Sequence, residues 1–200
     1  MKTIAKTTIA TLLTAIVLSS SALVSTASET IKTDSSAISL IKGINKIWVS
    51  GNVKLILSQG IEEGINGTES YSSGNTSVLT NGQTLYINST SRNQVTLNIT
   101  LKDLQRIEAY GSSVVLTNVN FDVKYLQVFL NHKAKARLNA IAGSVYTVIK
   151  DDATLKMSGM ANDHILVASN AKNVKLTDFV CLKNNNTLLA DSAQLAGLAR

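Results

Sequence analysis

Val114-Val115-Leu116, Ala136-Arg137-Leu138, Leu155-Lys156-Met157, Val174-Lys175-Leu176 and Ala193-Gln194-Leu195 recur along the C-terminal half of the chain. Their last residues are separated by 22, 19, 19 and 19 positions. A near-constant step of about nineteen residues marks a coil whose turns stack, so that each residue lies over its equivalent one turn later. On a strand, the outer residues of each triplet face one side and the middle residue faces the other. The expected interior holds one stack of Leu116, Leu138, Met157, Leu176 and Leu195, and a second of Val114, Ala136, Leu155, Val174 and Ala193. The expected outward file is Val115, Arg137, Lys156, Lys175 and Gln194.

A second strand segment precedes each triplet: Arg106-Ile107-Glu108, Gln127-Val128-Phe129, Thr147-Val148-Ile149 and Leu166-Val167-Ala168. Polar corners separate the two: Gly111-Ser112-Ser113, Asn131-His132, Lys150-Asp151-Asp152 and Ser169-Asn170. Such residues tolerate positive φ or satisfy their own backbone locally. A leucine-rich repeat would need an asparagine-centred signature, which is missing here. The predicted fold is therefore all-β, a single-stranded right-handed parallel β-helix with turns of about 19–22 residues.

The front half is less regular. Ile44–Val49 and Val53–Leu57 read as a first strand pair around a Gly51-Asn52 turn, and Gly64–Gly82 as turns around one weak strand. Thr84–Ile87 follows, then Gln94–Thr100, which alternates with period two and is the clearest half-buried strand. Abundant Ser, Thr, Asn and Val with no proline agrees with strands and polar turns.

Residues 1–27 read as a signal peptide: basic Lys2 and Lys6, an uncharged apolar or small stretch from Thr8 to Val24, then Ser25-Thr26-Ala27 at the cleavage position. No cysteine lies there to be lipidated, and no later segment has the ~18–20 apolar residues of a spanning helix. The expected organisation is a leader, a linker over 28–40 and one domain over 41–200, in a protein exported to the periplasm, cell surface or medium. Loss of the leader removes two lysines and lowers the formal net charge from +6 to +4, with 17 basic and 13 acidic residues. So mild an excess does not argue for nucleic acid. Cys181, the single cysteine, cannot form an internal disulfide and reads as a small buried residue.

Ile44–Gly51 and Val53–Gly60, then Asn81–Ile87, Val95–Thr100 and Leu104–Val114, resemble in order and spacing the family called putative auto-transporter adhesin, head GIN domain. The resemblance covers about residues 41 to 200. It implies an exported right-handed β-helix of Bacteroidetes-type envelope proteins and brings no catalytic or binding residues with it. Asn131-His132-Lys133 and Lys150-Asp151-Asp152 depart from its Gly-Ser corners.

Arg137, Lys156 and Lys175 fall in one outward file over three turns, with Lys135 two residues before Arg137 on the same face. Like charges on neighbouring strands repel by a few tenths of a kcal/mol up to ~1 kcal/mol per pair. Two readings follow: a solvated face relieved by Asp151, Asp152 or Asp178, or a docking file for an anionic polymer such as an acidic polysaccharide or lipopolysaccharide. Support for catalysis is thinner. Asp151-Asp152 and Glu62-Glu63 are adjacent in sequence and do not converge as acid/base couples. His132 and His164 lack metal-ligand spacing and read as corner or surface residues. No cofactor motif is present. Trp48 has two readings, core or end-cap packing and a sugar-stacking platform.

The expected function is that of a non-enzymatic envelope protein of adhesin type, presenting a rigid face that would suit an anionic glycan. The alternative is a polysaccharide lyase or hydrolase on the same scaffold. The weak final turn at Ala190–Arg200 leaves an open end, which makes end-to-end pairing of copies a further expectation.

Overall fold

The computed structural model describes residues 29–30, 39–67, 74–118 and 121–188. The expected leader, and Ala193 and Leu195 of the ladder, lie outside these residues. The strands are β1 (Glu29–Thr30), β2 (Ser39–Leu40), β3 (Lys46–Gly51), β4 (Val53–Gln59), β5 (Gly64–Gly67), β6 (Thr76–Asn81) and β7 (Thr84–Ser89). They continue as β8 (Val95–Leu101), β9 (Arg106–Ala109), β10 (Val114–Thr117), β11 (Phe121–Leu130), β12 (Lys135–Ile149), β13 (Thr154–Ala168) and β14 (Val174–Leu188). A 3-10 turn, Ala171–Asn173, precedes β14. All fourteen strands join in one mixed sheet. The sheet curls, with one continuous apolar core on its inner side.

The C-terminal half obeys the nineteen-residue step. Strand β12 pairs in parallel with β13 from Lys135↔Thr154 to Ile149↔Ala168, and β13 with β14 at the same step for Leu155↔Val174 and Lys156↔Lys175, then at a step of twenty from Ser158↔Asp178 onward. Each repeat holds three stretches rather than the expected two. The additional one, exemplified by Ala140–Ala142, runs on from the triplet without a break, so β12, β13 and β14 are each 15 residues long.

The front half departs from a simple coil. Strands β3 and β4 do not pair with each other: β3 lies between β7 and β9, and β4 between β8 and β10. The 46–59 segment is thus inserted between two segments that follow it in sequence. The Gly64–Gly82 stretch contributes two strands, not one, with β5 antiparallel to β8 and β6 antiparallel to β7. The short β1 and β2 are also antiparallel, on β6 and β5. These reversals make the sheet mixed where a wholly parallel one was expected. A short turn such as Asn81-Gly82-Gln83 can only return a strand antiparallel to its predecessor.

The ladder needs a correction at its first rung. Val115 pairs with Ala136, and Leu116 with Arg137, so this step is 21 residues rather than 22. A one-residue slip moves every side chain to the other face. Val115 is buried, while Val114 and Leu116 lie outward and half-buried. The inner file is Leu55, Val115, Ala136, Leu155 and Val174, and Ile56 and Leu116 precede Arg137 in the outward file. Leu138 and Met157 are buried as expected.

One corner repeats through the stack. Gly51, Gly111, His132 and Asp151 all have positive φ, at 89°, 69°, 59° and 56°. After each of the last three, the chain closes the same turn: Ser113 N donates to Tyr110 O, Ala134 N to Asn131 O and Ala153 N to Lys150 O. Side chains link the corners vertically. Gly111 N donates to His132 Nδ1 at 3.4 Å, and His132 N to Asp151 Oδ2 at 2.9 Å. A Cβ on Gly51 would overlap the Ser89 carbonyl oxygen, so only glycine fits there. Asp151→Val should lower stability by about 1–2 kcal/mol, because a β-branched residue resists left-handed backbone. Asp151→Asn should stay near wild type. Denaturant midpoints of the two variants check this.

His164 is not at a corner or on the surface. It is 1% exposed, with Nε2 3.1 Å from Thr147 Oγ1 and its ring edge-on to Phe179. Burial pushes its pKa below the ordinary value of 6.5, against a smaller opposing effect of Asn184. The unfolded chain takes up this proton near 6.5, whereas the folded chain resists it. Its contribution is therefore present above pH ~6.5 and lost as pH falls toward the depressed folded value. Urea midpoints should drop from about pH 8 to about pH 5 by less in His164→Gln than in wild type.

Candidate functional site

The second stretch of each repeat, following the corner, carries the predicted basic face. Arg137 pairs with Lys156, and Lys156 with Lys175, so three cations stand in direct register on adjacent strands about 4.8 Å apart. All three are exposed, as is Lys135, which is flanked by Val114 and Thr154. Relief comes from one of the three acids considered. Lys156 Nζ lies 3.8 Å from Asp178 Oδ2. Asp151 instead accepts from the backbone of His132, at the corner. Among the described residues Lys135, Arg137 and Lys175 form no ion pair. Asp178 reaches Lys156 because the register between β13 and β14 shifts between Lys156 and Ser158.

The first stretches, before the corner, present a face of different character. Alternation buries Ile47, Ile107 and Val128 and turns Trp48, Glu108 and Phe129 outward. Trp48 is therefore not a core residue. Its ring centroid lies 6.1 Å from that of Tyr86 and 5.4 Å from that of Tyr110, across neighbouring strands. Phe129 and Tyr146 pair at 5.9 Å, and the Arg106 guanidinium sits 5.0 Å from the Phe129 ring centroid.

Arg106 is tightly held. Its Nε donates to Gln127 Oε1 at 2.8 Å and its Nη1 to Glu108 Oε1 at 3.1 Å. Glu108 Oε2 accepts from the Tyr110 hydroxyl at 3.3 Å. Burial first, then the Glu108 carboxylate, pushes the Tyr110 pKa up, which keeps this hydroxyl a donor. Arg106, Glu108, Tyr110, Phe129, Asn131 and Tyr146, with Val148 and Lys150, line a cleft of about 420 Å³. Sequence reasoning missed this cluster. The signal was present, since Arg106-Ile107-Glu108 and Gln127-Val128-Phe129 alternate, but the pairing of Trp48 with Tyr86 requires the inserted 46–59 segment.

Some of the remaining side chains of interest have structural partners. Glu63 accepts from the backbone of Gly43 at 2.7 Å and of Lys102 at 3.3 Å, tying two loops together. Glu62 and Asp152 are exposed. Cys181 is half-buried against the core edge rather than fully buried. Among the described residues, no three His, Cys, Asp or Glu side chains group as metal ligands. No described helix is long and apolar enough to cross a membrane. On the third stretches Ile141, Met160 and Val180 form an outward apolar file, 36%, 54% and 65% exposed.

The fold has counterparts among solved structures. A putative lipid binding protein of Parabacteroides distasonis overlays with a TM-score of 0.51 at 11% identity, over 80% of this chain and 78% of its own. Looser overlays are found with a putative adhesin of Bacteroides fragilis (TM-score 0.45, 12% identity, 76% of this chain and 94% of that one) and another of Parabacteroides merdae (0.43, 11%, 76% of each). At such identities the likeness is one of fold. No family model and no curated protein matches the chain, so the head GIN resemblance rests on the quoted residues alone.

The Lys156–Asp178 pair joins two exposed groups, 46% and 65% accessible, and should contribute little. Asp178→Asn should shift thermal stability by no more than about 0.5 kcal/mol in a melting experiment, while removing the acid paired with Lys156.

Proposed function

We propose that the chain is an exported, non-enzymatic binding protein of the cell envelope, of adhesin type, whose basic file docks an anionic glycan. The leader-like residues 1–27 support export. The scaffold of this reading is a right-handed β-helix of the head GIN kind. The parallel registers at steps of 19 and 21 residues support the coil, and the strong preference of parallel crossovers for one hand supports its handedness.

The observation that carries the reading is the direct register of Arg137, Lys156 and Lys175 with, among the described residues, one ion pair to an acid. Folding alone gains nothing from three like charges so placed. A polyanion with regularly spaced carboxylates or phosphates would neutralise them on a surface held rigid by the sheet. The lyase or hydrolase alternative needs a carboxylate or base free to act on substrate. In each acid pair considered, one member is engaged with backbone (Glu63, Asp151), so neither pair offers two free carboxylates side by side, which favours binding over catalysis.

Binding to immobilised polygalacturonate should weaken by about tenfold in Arg137→Gln/Lys156→Gln/Lys175→Gln, equivalent to about 0.5 kcal/mol for each lost charge, and should fade as salt rises. Unchanged binding by the variant, or none by the wild type, would sink the proposal. New unsaturated or reducing ends in the polymer would establish the enzymatic alternative instead.

A further inference from the structure

We propose that the aromatic face of the first stretches is a second binding site, built for an uncharged saccharide and independent of the basic file. Five of the nine aromatic residues, Trp48, Tyr86, Tyr110, Phe129 and Tyr146, stand on this one outward face. Tyr86 is 39% exposed and the other four are half-buried, so their rings line the surface without being lost in the core. Aromatic residues so placed could serve only to cover the strands. Two features go beyond that role.

The first is the polar frame. Arg106 is fixed by Gln127, Glu108 and the Phe129 ring, and Glu108 is held from its other side by Tyr110. A planar fork and a carboxylate, both immobilised beside a cleft, are arranged before any ligand arrives, which limits the entropy lost on binding. The Asn131 amide adds a donor and an acceptor at the same cleft. At about 420 Å³ the cleft falls within the size range of small-ligand sites.

The second is charge. The Arg106–Glu108 pair, 3.1 Å apart, cancels within the site. Lys150 at the rim of the cleft and Lys46 in register with Arg106 leave the face basic on balance, but its guanidinium is already paired. A polyanion would meet the Glu108 carboxylate beside the rings, and an apolar chain would leave Arg106 and Glu108 poorly solvated. A sugar ring meets both demands. Its C–H face lies against Trp48 or the tyrosine rings, and its hydroxyls both donate and accept, so they can satisfy a guanidinium, a carboxylate and an amide together. The shelf from Tyr86 through Trp48 to Tyr110 crosses strands β7 and β3 toward the corner after β9, giving an extended oligosaccharide successive contacts.

Trp48 is the sole tryptophan and reports on its own site. The full chain is titrated with short neutral oligosaccharides of glucose, mannose, galactose and N-acetylglucosamine, reading Trp48 emission and calorimetric heat. A saturable response with at least one of them is expected, little changed by salt. Tyr110→Ala should weaken it about tenfold or more, whereas Tyr110→Phe, which keeps the ring, should retain most of it. Tyr86→Ala, at the exposed end of the shelf, serves as a second variant if Tyr110→Ala does not fold. The Arg137→Gln/Lys156→Gln/Lys175→Gln protein should respond as wild type, so this site and the basic file can fail separately. No saturable response to any of these sugars, or a response equal in wild type and a folded Tyr110→Ala or Tyr86→Ala variant, would overturn the proposal.

Discussion

The rest of the molecule depends on a backbone constraint at one corner. After each first stretch the chain must turn through a left-handed residue and still arrive at strand spacing from the turn below. Gly51, Gly111, His132 and Asp151 meet that requirement in successive layers. The two non-glycine residues also donate their side chains to the stack, accepting from the backbone of Gly111 and His132 respectively. Local conformation and vertical hydrogen bonding are thus carried by the same positions. With the corners stacked, the register of the flanking strands is set, and with register comes the division into inner and outer faces.

The interior shows what that register demands. In the third stretches Phe121 pairs with Ala140, Ala140 with Gly159 and Gly159 with Phe179, so large side chains bracket small ones in one inner column. Gly159 is obligatory there, since a Cβ would overlap the Ala140 carbonyl oxygen and its φ is 105°. The core also grows polar toward the C-terminal end, where Thr147 and His164 join Val145 and Leu166. Thr147 Oγ1 and His164 Nε2 satisfy each other there.

The exterior separates into faces of distinct chemistry because one side of every strand is committed to the core. The first stretches present rings around a neutral Arg106–Glu108 pair, the second a column of cations, and the third the apolar Ile141, Met160 and Val180. Parallel strands in register place like residues in columns at strand spacing, the geometry in which weak contacts to a repeating polymer add. This arrangement makes a binding surface the economical reading, whichever column is used.

The sequence by itself determined the all-β class, the nineteen-residue step, the corner residues and the outward register of Arg137, Lys156 and Lys175. Each is local or periodic, so spacing and residue type suffice to reveal it. Only the tertiary structure decided the first rung of the ladder, where a step of 21 rather than 22 residues exchanges Leu116 for Val115, since alternating apolar residues look alike on both faces. It alone decided that His164 is buried, because the columns above and below it are remote in sequence. It alone brought Trp48 between Tyr86 and Tyr110, by inserting β3 between strands that follow it in the chain. Long-range pairing depends on the combined burial of both partners, which no single segment carries.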